Sequence, residues 1–313
     1  MDMSVVRIDS LENTADVKNF DFSFFTLPQV LTKVFTKSDW WGYFKGNELI
    51  CIWPVPLNSH SECLSSLPFT YYVGPVWKIP LPNLPAHRAL KITKDVYNAF
   101  LNKFREQYQL FAAELKPTLI DARPFIWMSK TGEQILTELN YTAILHVDCL
   151  DNMSKNFRQV KRWELKHIPE SRFRTSTNDH NPLEVINFYR SQPFAFRAEK
   201  EDEHLYAVME RYLNLSYEEG VHSITIRDAT NKKMVGFSLL GIYKQTLNVL
   251  ISITEREFAS QFFLSTYLHK LIFELAYRLD VEWIDFNGAN GPLLADAKHS
   301  FGAVPKLYFK ISY

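Results

Sequence analysis

Ile284 to Tyr313 reads IDFNGANGPLLADAKHSFGAVPKLYFKISY, and it holds three of the ten glycines in a 313-residue chain. Ile284-Asp285-Phe286 closes a short apolar strand. Asp285 and Asn287 then stand at a strand end, where open α/β sheets place ligand sites. Gly288 and Gly291 permit backbone geometries that other residues resist. Lys298 and His299 follow on a short helical turn before the tight Phe301-Gly302-Ala303. Leu307 to Tyr313 is a last strand.

Upstream of this stretch, helices and strands alternate. Gln261–Leu279 is predicted as one long helix before the strand Trp283–Phe286. His222–Arg227, Met234–Tyr243 and Leu247–Thr254 are predicted strands, adjacent in sequence and so antiparallel. SKNFRQVKRWELKHI, Ser154–Ile168, is predicted as one helix, capped by Ser154 and stopped by Pro169. Helices are also predicted at Pro182–Arg190 and Asp202–Glu219.

In the first half, Leu27–Phe35 and His87–Gln107 have helical apolar spacing. Gly42–Leu57 reads as two strands around Lys45-Gly46-Asn47. LFAAEL and Tyr141–Cys149 read as strands, and Ser129–Leu139 as a helix. NELICIWPV, Asn47–Val55, aligns faintly with KKMVGFSLL, Lys232–Leu240, a pattern that duplication of one α/β unit produces. The length allows about two domains of ~150 residues. The predicted division is 1–150 and 151–313, in an α/β class with a mixed sheet.

Composition excludes several function classes. Thirty-five Lys and Arg balance 35 Asp and Glu, so the chain is neither a polyelectrolyte-type nucleic-acid binder nor an acidic tail. Three cysteines, Cys51, Cys63 and Cys149, lack metal-ligand spacing, and no metal is expected. Their sparse, odd count suits a reducing compartment. No basic and then apolar leader opens the sequence, and no apolar run approaches the ~20 residues of a spanning helix. The expectation is a cytoplasmic protein with no membrane span. A phosphate loop, a dinucleotide-binding glycine motif, a nucleophile elbow and H-E-x-x-H are all absent.

Asp285-Phe286, Gly288 and Lys298-x-x-Phe301-Gly302-Ala303, closed by an aromatic strand, resemble the C-terminal signature of the FemAB-like branch of the GNAT superfamily. Members carry two acyl-CoA N-acyltransferase folds in tandem. Phe24–Phe35 is similar to the family's opening helix, Asn47–Leu57 to a first-domain strand, and Ser154–Ile168 to the basic helix that opens the second domain. The resemblance implies two tandem GNAT-like domains, the first degenerate and the second holding the donor site. It implies transfer of an acyl group, acetyl above all, from acyl-CoA to an amine of a sugar, amino acid or cell-envelope precursor. The alternatives are an aminoacyl-tRNA-dependent FemAB-type transferase and a non-catalytic GNAT-like binding protein. A tRNA site calls for more positive charge than this neutral chain carries, so nucleic acid is expected only in that first alternative.

The resemblance also maps a site. Two strands splay apart in this fold, and the donor's pantetheine arm pairs with the exposed edge of one of them. Here those strands are Leu247–Thr254 and Trp283–Phe286, so Ile251, Ser252 and Ile253 would pair with the donor, with Asn287 beside them. The loop Glu255–Ser260 and the start of the next helix would receive pyrophosphate. That segment departs from the family, because no glycine falls between Gly241 and Gly288. Phe262 and Phe263 crowd it, and Ser265 and Thr266 are the nearest small residues. Asp285 and Glu255 are the candidate bases, and Tyr308 the candidate acid. Asp285 also reads as a strand-end cap for the Asn287 and Gly288 amides. Lys298 is the candidate acceptor-side lysine. Lys155, Arg158, Arg162 and Lys166 share a ~80° stripe of the predicted helix, a phosphate-facing surface or a solvated one. Arg190, Phe194 and Arg197 are candidate acceptor contacts.

Overall fold

The computed structural model describes residues 3–8, 19–58, 62–63, 67–78, 81–119, 121–130, 134–193, 203–215 and 219–313. Among these the elements run β1 (Met3–Ile8), α1 (Pro28–Val34), β2 (Lys37–Lys45), β3 (Glu48–Leu57), β4 (Val76–Trp77), α2 (Ala86–Gln107), β5 (Ala112–Glu114), α3 (Arg123–Lys130) and β6 (Leu136–His146). They continue with α4 (Leu150–Ser154), α5 (Gln159–His167), β7 (Phe173–Thr177), α6 (Pro182–Arg190), α7 (Glu203–Leu213), β8 (Val221–Asp228), β9 (Met234–Tyr243), β10 (Thr246–Thr254), α8 (Arg256–Phe262), α9 (Leu264–Arg278), β11 (Trp283–Asp285), α10 (Pro292–His299) and β12 (Val304–Ser312).

Two compact units form, Met1–Asn140 with Leu307–Tyr313, and Tyr141–Lys306. In the first, β1-β2-β3-β4 is an antiparallel sheet, and β5 pairs with the closing strand, Lys310 opposite Glu114 and Ser312 opposite Ala112. Its core is aromatic. Trp53 is fully buried and meets Tyr97, Phe100, Phe104 and Phe111 edge-on at 5.4–5.8 Å, the geometry that ring quadrupoles favour. α2 supplies Tyr97, Phe100, Leu101 and Phe104 from one face, as its periodicity predicts.

In the second unit the strand order is β6-β11-β10-β9-β8-β7. Its core is mostly aliphatic, built from Ile224, Val235, Leu240, Leu247, Leu268 and Ile272, with the rings of Phe157, Phe273 and Phe301 packed on one another. Each half therefore lends a strand to the other's unit. Tyr141–His146 belongs to the second unit and pairs with β11 through Ile144–His146, while Leu307–Tyr313 belongs with the first.

The structure corrects three helices. Ser154–Ile168 is two helices, because the chain is extended at Arg158 (ψ 148°), whose N–H bonds to the Ser300 carbonyl while Phe157 enters the core. Gln261–Leu279 is interrupted at Phe263, which adopts φ +57°. Ser129–Leu139 is the end of α3 and the start of β6.

Candidate active site

β10 and β11 run parallel and pair over three positions only, Thr246 with Trp283, Leu247 with Ile284 and Asn248 with Asp285. β10 then continues to Thr254, and the chain after Asp285 leaves it. The Phe286 N–H donates to the Ala143 carbonyl at 3.0 Å and the Ala289 N–H to the Tyr141 carbonyl at 2.6 Å, so this segment follows β6 instead. A bulge between Val249 and Ile251 adds a bend to β10 where the two part.

Among the described residues, no strand pairs with the outer edge of the remaining half of β10. The Glu255 N–H donates to the Val235 carbonyl, and the register runs unbroken from there to Ile251 opposite Leu239. Backbone groups alternate sides along an antiparallel ladder. Ile251 and Ile253 therefore face β9, and the N–H and C=O of Ser252 and Thr254 face away from it. Of the three residues expected along the donor, Ser252 has the outward-facing backbone, and its side chain is exposed.

A bonded turn closes the base of the opening. Asn287 and Gly288 have φ +50° and +46°, and non-glycine residues at such φ are held there by their surroundings. The Asp285 carboxylate accepts the Asn287 N–H at 2.8 Å and the Thr142 hydroxyl. Asn287 Nδ2 donates to the Val249 carbonyl at 2.9 Å, spanning from the turn to β10. Its Oδ1 is buried with no donor. Lys298 Nζ donates to the carbonyls of Asn287 and Gly288. Burial brings the Lys298 ammonium down to about 8, against the pull of Asp285.

The start of α9 is already filled. Thr266, buried, donates its hydroxyl to the Glu164 carboxylate, and Lys161 Nζ reaches both Glu164 (2.7 Å) and Thr266 (3.1 Å). A carboxylate thus stands in the first turn of the helix, where the dipole favours an anion. The expected loop Glu255–Ser260 is mostly helix, from Arg256 onward. Phe262 packs on Phe173 and Phe258, and Phe263 on Trp163. Their rings turn to β7 and α5. Ser265 lends its carbonyl to His269 Nδ1. Burial lowers the His269 imidazole to about 4, and it stacks on Phe301 at 4.4 Å.

The other expected residues disperse. Glu255 pairs with Lys233 at 3.0 Å and keeps one buried oxygen without a partner. Tyr308 belongs to the first unit and packs edge-on against Tyr72 at 5.2 Å. Arg158 forms an exposed pair with Asp296, and Arg162 donates to the Phe157 carbonyl at 2.7 Å. Arg190 lies 4.1 Å over the Tyr206 ring. Phe194 and Arg197 lie outside the described residues. Thr142, Glu164 and His269 escaped the sequence reading. Thr142 is 143 positions from Asp285, and nothing local announces it.

No family model matches the chain, and neither does any curated protein. Solved structures do match. FemX aligns with TM-score 0.57 at 10% identity, over 87% of each chain. A tandem GNAT protein from the clavulanic acid biosynthesis pathway aligns with TM-score 0.55 at 11% identity, over 100% of this chain and 98% of that one. A GCN5-related glucosamine N-acetyltransferase region of a fungal multi-domain GH3 β-N-acetylglucosaminidase aligns with TM-score 0.50 at 11% identity, over 100% of this chain and 38% of that one. The chain has the FemAB-like tandem GNAT fold, with mixed sheets in an α/β architecture.

Proposed function

We propose that the protein is an acyltransferase whose second unit (the second of two domains dividing near residue 150) grips an acyl donor in the β10–β11 opening. The free β10 edge carries this reading. Ser252 and Thr254 offer backbone donors and acceptors to an extended amide-bearing arm, as an added strand would use them. The buried Asn287 Oδ1 can accept an amide N–H there. An acyl-CoA, acetyl-CoA first, supplies an arm of that chemistry and an activated thioester. The acceptor is an amine of a small molecule: a sugar, an amino acid or a cell-envelope precursor. The glucosamine N-acetyltransferase region among the similar structures supports the sugar.

Asp285 and Lys298 act as positioning residues in this reading, since their hydrogen bonds hold the turn that presents Asn287. Glu255, at the far end of β10, has a buried carboxylate oxygen available to accept the amine's proton. A thiol nucleophile is disfavoured for Cys51 and Cys63, because burial raises both thiols, Cys63 to about 11. Arg158, Arg162 and Arg190, engaged by protein groups, would have to exchange those partners to hold an acceptor. Tyr308 keeps the role of proton donor only if donor chemistry involves the first unit. The working compartment is the cytoplasm; no described helix is long and apolar enough to cross a membrane.

Glu164 favours a second reading of the donor. Its carboxylate at the start of α9 opposes a pyrophosphate, which suits a donor without one at that position, such as an aminoacyl-tRNA ester, or a binding protein that has lost catalysis. Titration with acetyl-CoA and dephosphorylated pantetheine thioesters separates these readings. A rise in melting temperature with either compound, and transfer of labelled acetyl to glucosamine or amino-acid amines, supports thioester use. No shift with any thioester, and no labelled product, refutes it.

A further inference from the structure

The first unit encloses a cavity of about 260 Å³ between the 67–73 segment and the paired strands β5 and β12. That volume lies just below the usual range of small-ligand sites and suits a ligand of few atoms. Glu114 enters it from β5 and Lys310 from β12. The register places the two directly opposite, so both side chains leave the same face of the sheet.

Opposite charges so placed ordinarily close on each other. Here they form no ion pair. Glu114 Oε2 is buried without a hydrogen-bond partner, and Lys310 acts on it only through space. Burial pushes the Glu114 carboxyl up to about 7, against the pull of Lys310 and of the Tyr72 N–H that bonds to it. An unsatisfied buried carboxylate is costly, and groups of this kind gather at functional sites.

The wall over the cavity is strained. Phe69 and Tyr72 both have φ +56°, a conformation that bulky residues rarely hold without external constraint. At Gly74 a Cβ would come within 3.1 Å of the Glu114 carbonyl oxygen, so glycine lets this segment lie close on β5 without a shift of that strand. Phe69, Tyr71 and Tyr72 are among the lining residues, and ammonium groups favour aromatic surroundings.

We infer that this cavity binds a small zwitterion, a free α-amino acid or a molecule with the same ammonium–carboxylate pair, its ammonium on Glu114 and its carboxylate on Lys310. The ligand replaces the missing ion pair with two, and gives the orphaned oxygen a donor. This site goes beyond the acyl-transfer reading and shares no residue with the β10–β11 opening, so either can fail without the other.

Calorimetric titration of the full chain tests it. The probes are glycine, L-alanine, L-leucine and L-lysine at about 10 mM, each beside its N-acetyl derivative and its methyl ester. The expected result is binding of at least one free amino acid, with both derivatives weaker by about tenfold or more. Glu114→Gln should weaken the free amino acid by about tenfold and remove the preference over the N-acetyl form. Lys310→Met should remove the preference over the ester. Both variants should keep the native melting profile of the second unit. No binding by any free amino acid, derivatives that bind as well as the parent, or affinity unchanged in both variants would each overturn the assignment.

Discussion

Each unit buries a titratable side chain beside a strand, and the two are treated in opposite ways. In the second, Lys298 donates to two carbonyls of the turn after β11. In the first, Glu114 keeps a buried oxygen that nothing satisfies. Burial moves both away from their charged forms, Lys298 down to about 8 and Glu114 up to about 7. The shifts alone do not tell them apart; their partners do. A satisfied buried group fixes a shape, and an unsatisfied one carries a penalty that a ligand can remove.

The largest expected effect comes from deleting Leu307–Tyr313. The first unit would lose Tyr308, Phe309 and Ile311 from its buried core, at about 2–5 kcal/mol each, against a total stability of about 5–15 kcal/mol. Hydrogen exchange should show Tyr97–Phe104 amides unprotected while β8–β10 stay protected. Equal loss in both halves would erase the distinction between the units.

Next comes Lys298→Met, which strips the Asn287 and Gly288 carbonyls of their donor. Denaturant unfolding should show a loss of about 2–3 kcal/mol, with acyl transfer down about a hundredfold. An unchanged midpoint would show that the turn holds itself.

A smaller contrast lies in pH. Glu114 rises from 4.5 to about 7 on folding, so the folded state binds the extra proton, and stability falls as pH climbs from about 4.5 to 7. Lys298 drops from 10.5 to about 8, so the unfolded state binds the extra proton, and stability rises from about pH 8 to 10.5. Each slope should amount to about 1–2 kcal/mol after screening. Glu114→Gln should flatten the acid-side slope alone and Lys298→Met the alkaline one alone; either variant changing both slopes breaks the comparison.

The smallest effect is at α9. Glu164→Gln removes the anion in its first turn and should tighten acetyl-CoA binding about fivefold, or ~1 kcal/mol. Weaker or unchanged binding would show that pyrophosphate does not approach that helix.

The sequence made part of this legible. Helical spacing from Val96 to Phe104 and the turn at Gly46 were local signals, and local signals sufficed for α2 and the β2–β3 hairpin. The D-F…K-x-x-F-G-A run pointed to the fold and to a turn where Asp285, Asn287 and Lys298 do meet. What stayed hidden was set by distant partners. Arg158 leaves the helical conformation because Ser300 takes its N–H. Phe263 is left-handed where periodicity alone continues a helix. Glu164 faces Thr266 from 102 positions away. Glu114 and Lys310 are paired by strand register, which neither residue's own neighbours reveal.

The exchanged strands bear on how the protein is made. A ribosome releases the first unit's helices and most of its strands long before Leu307–Tyr313 emerges. That unit must wait, aromatic core incomplete, until the whole of the second has been synthesised. Tyr141–His146, by contrast, is ready before its partner β11 exists. Nascent chains should therefore mature from the second unit backwards, with the exposed aromatics of the first as the natural client surface for a chaperone.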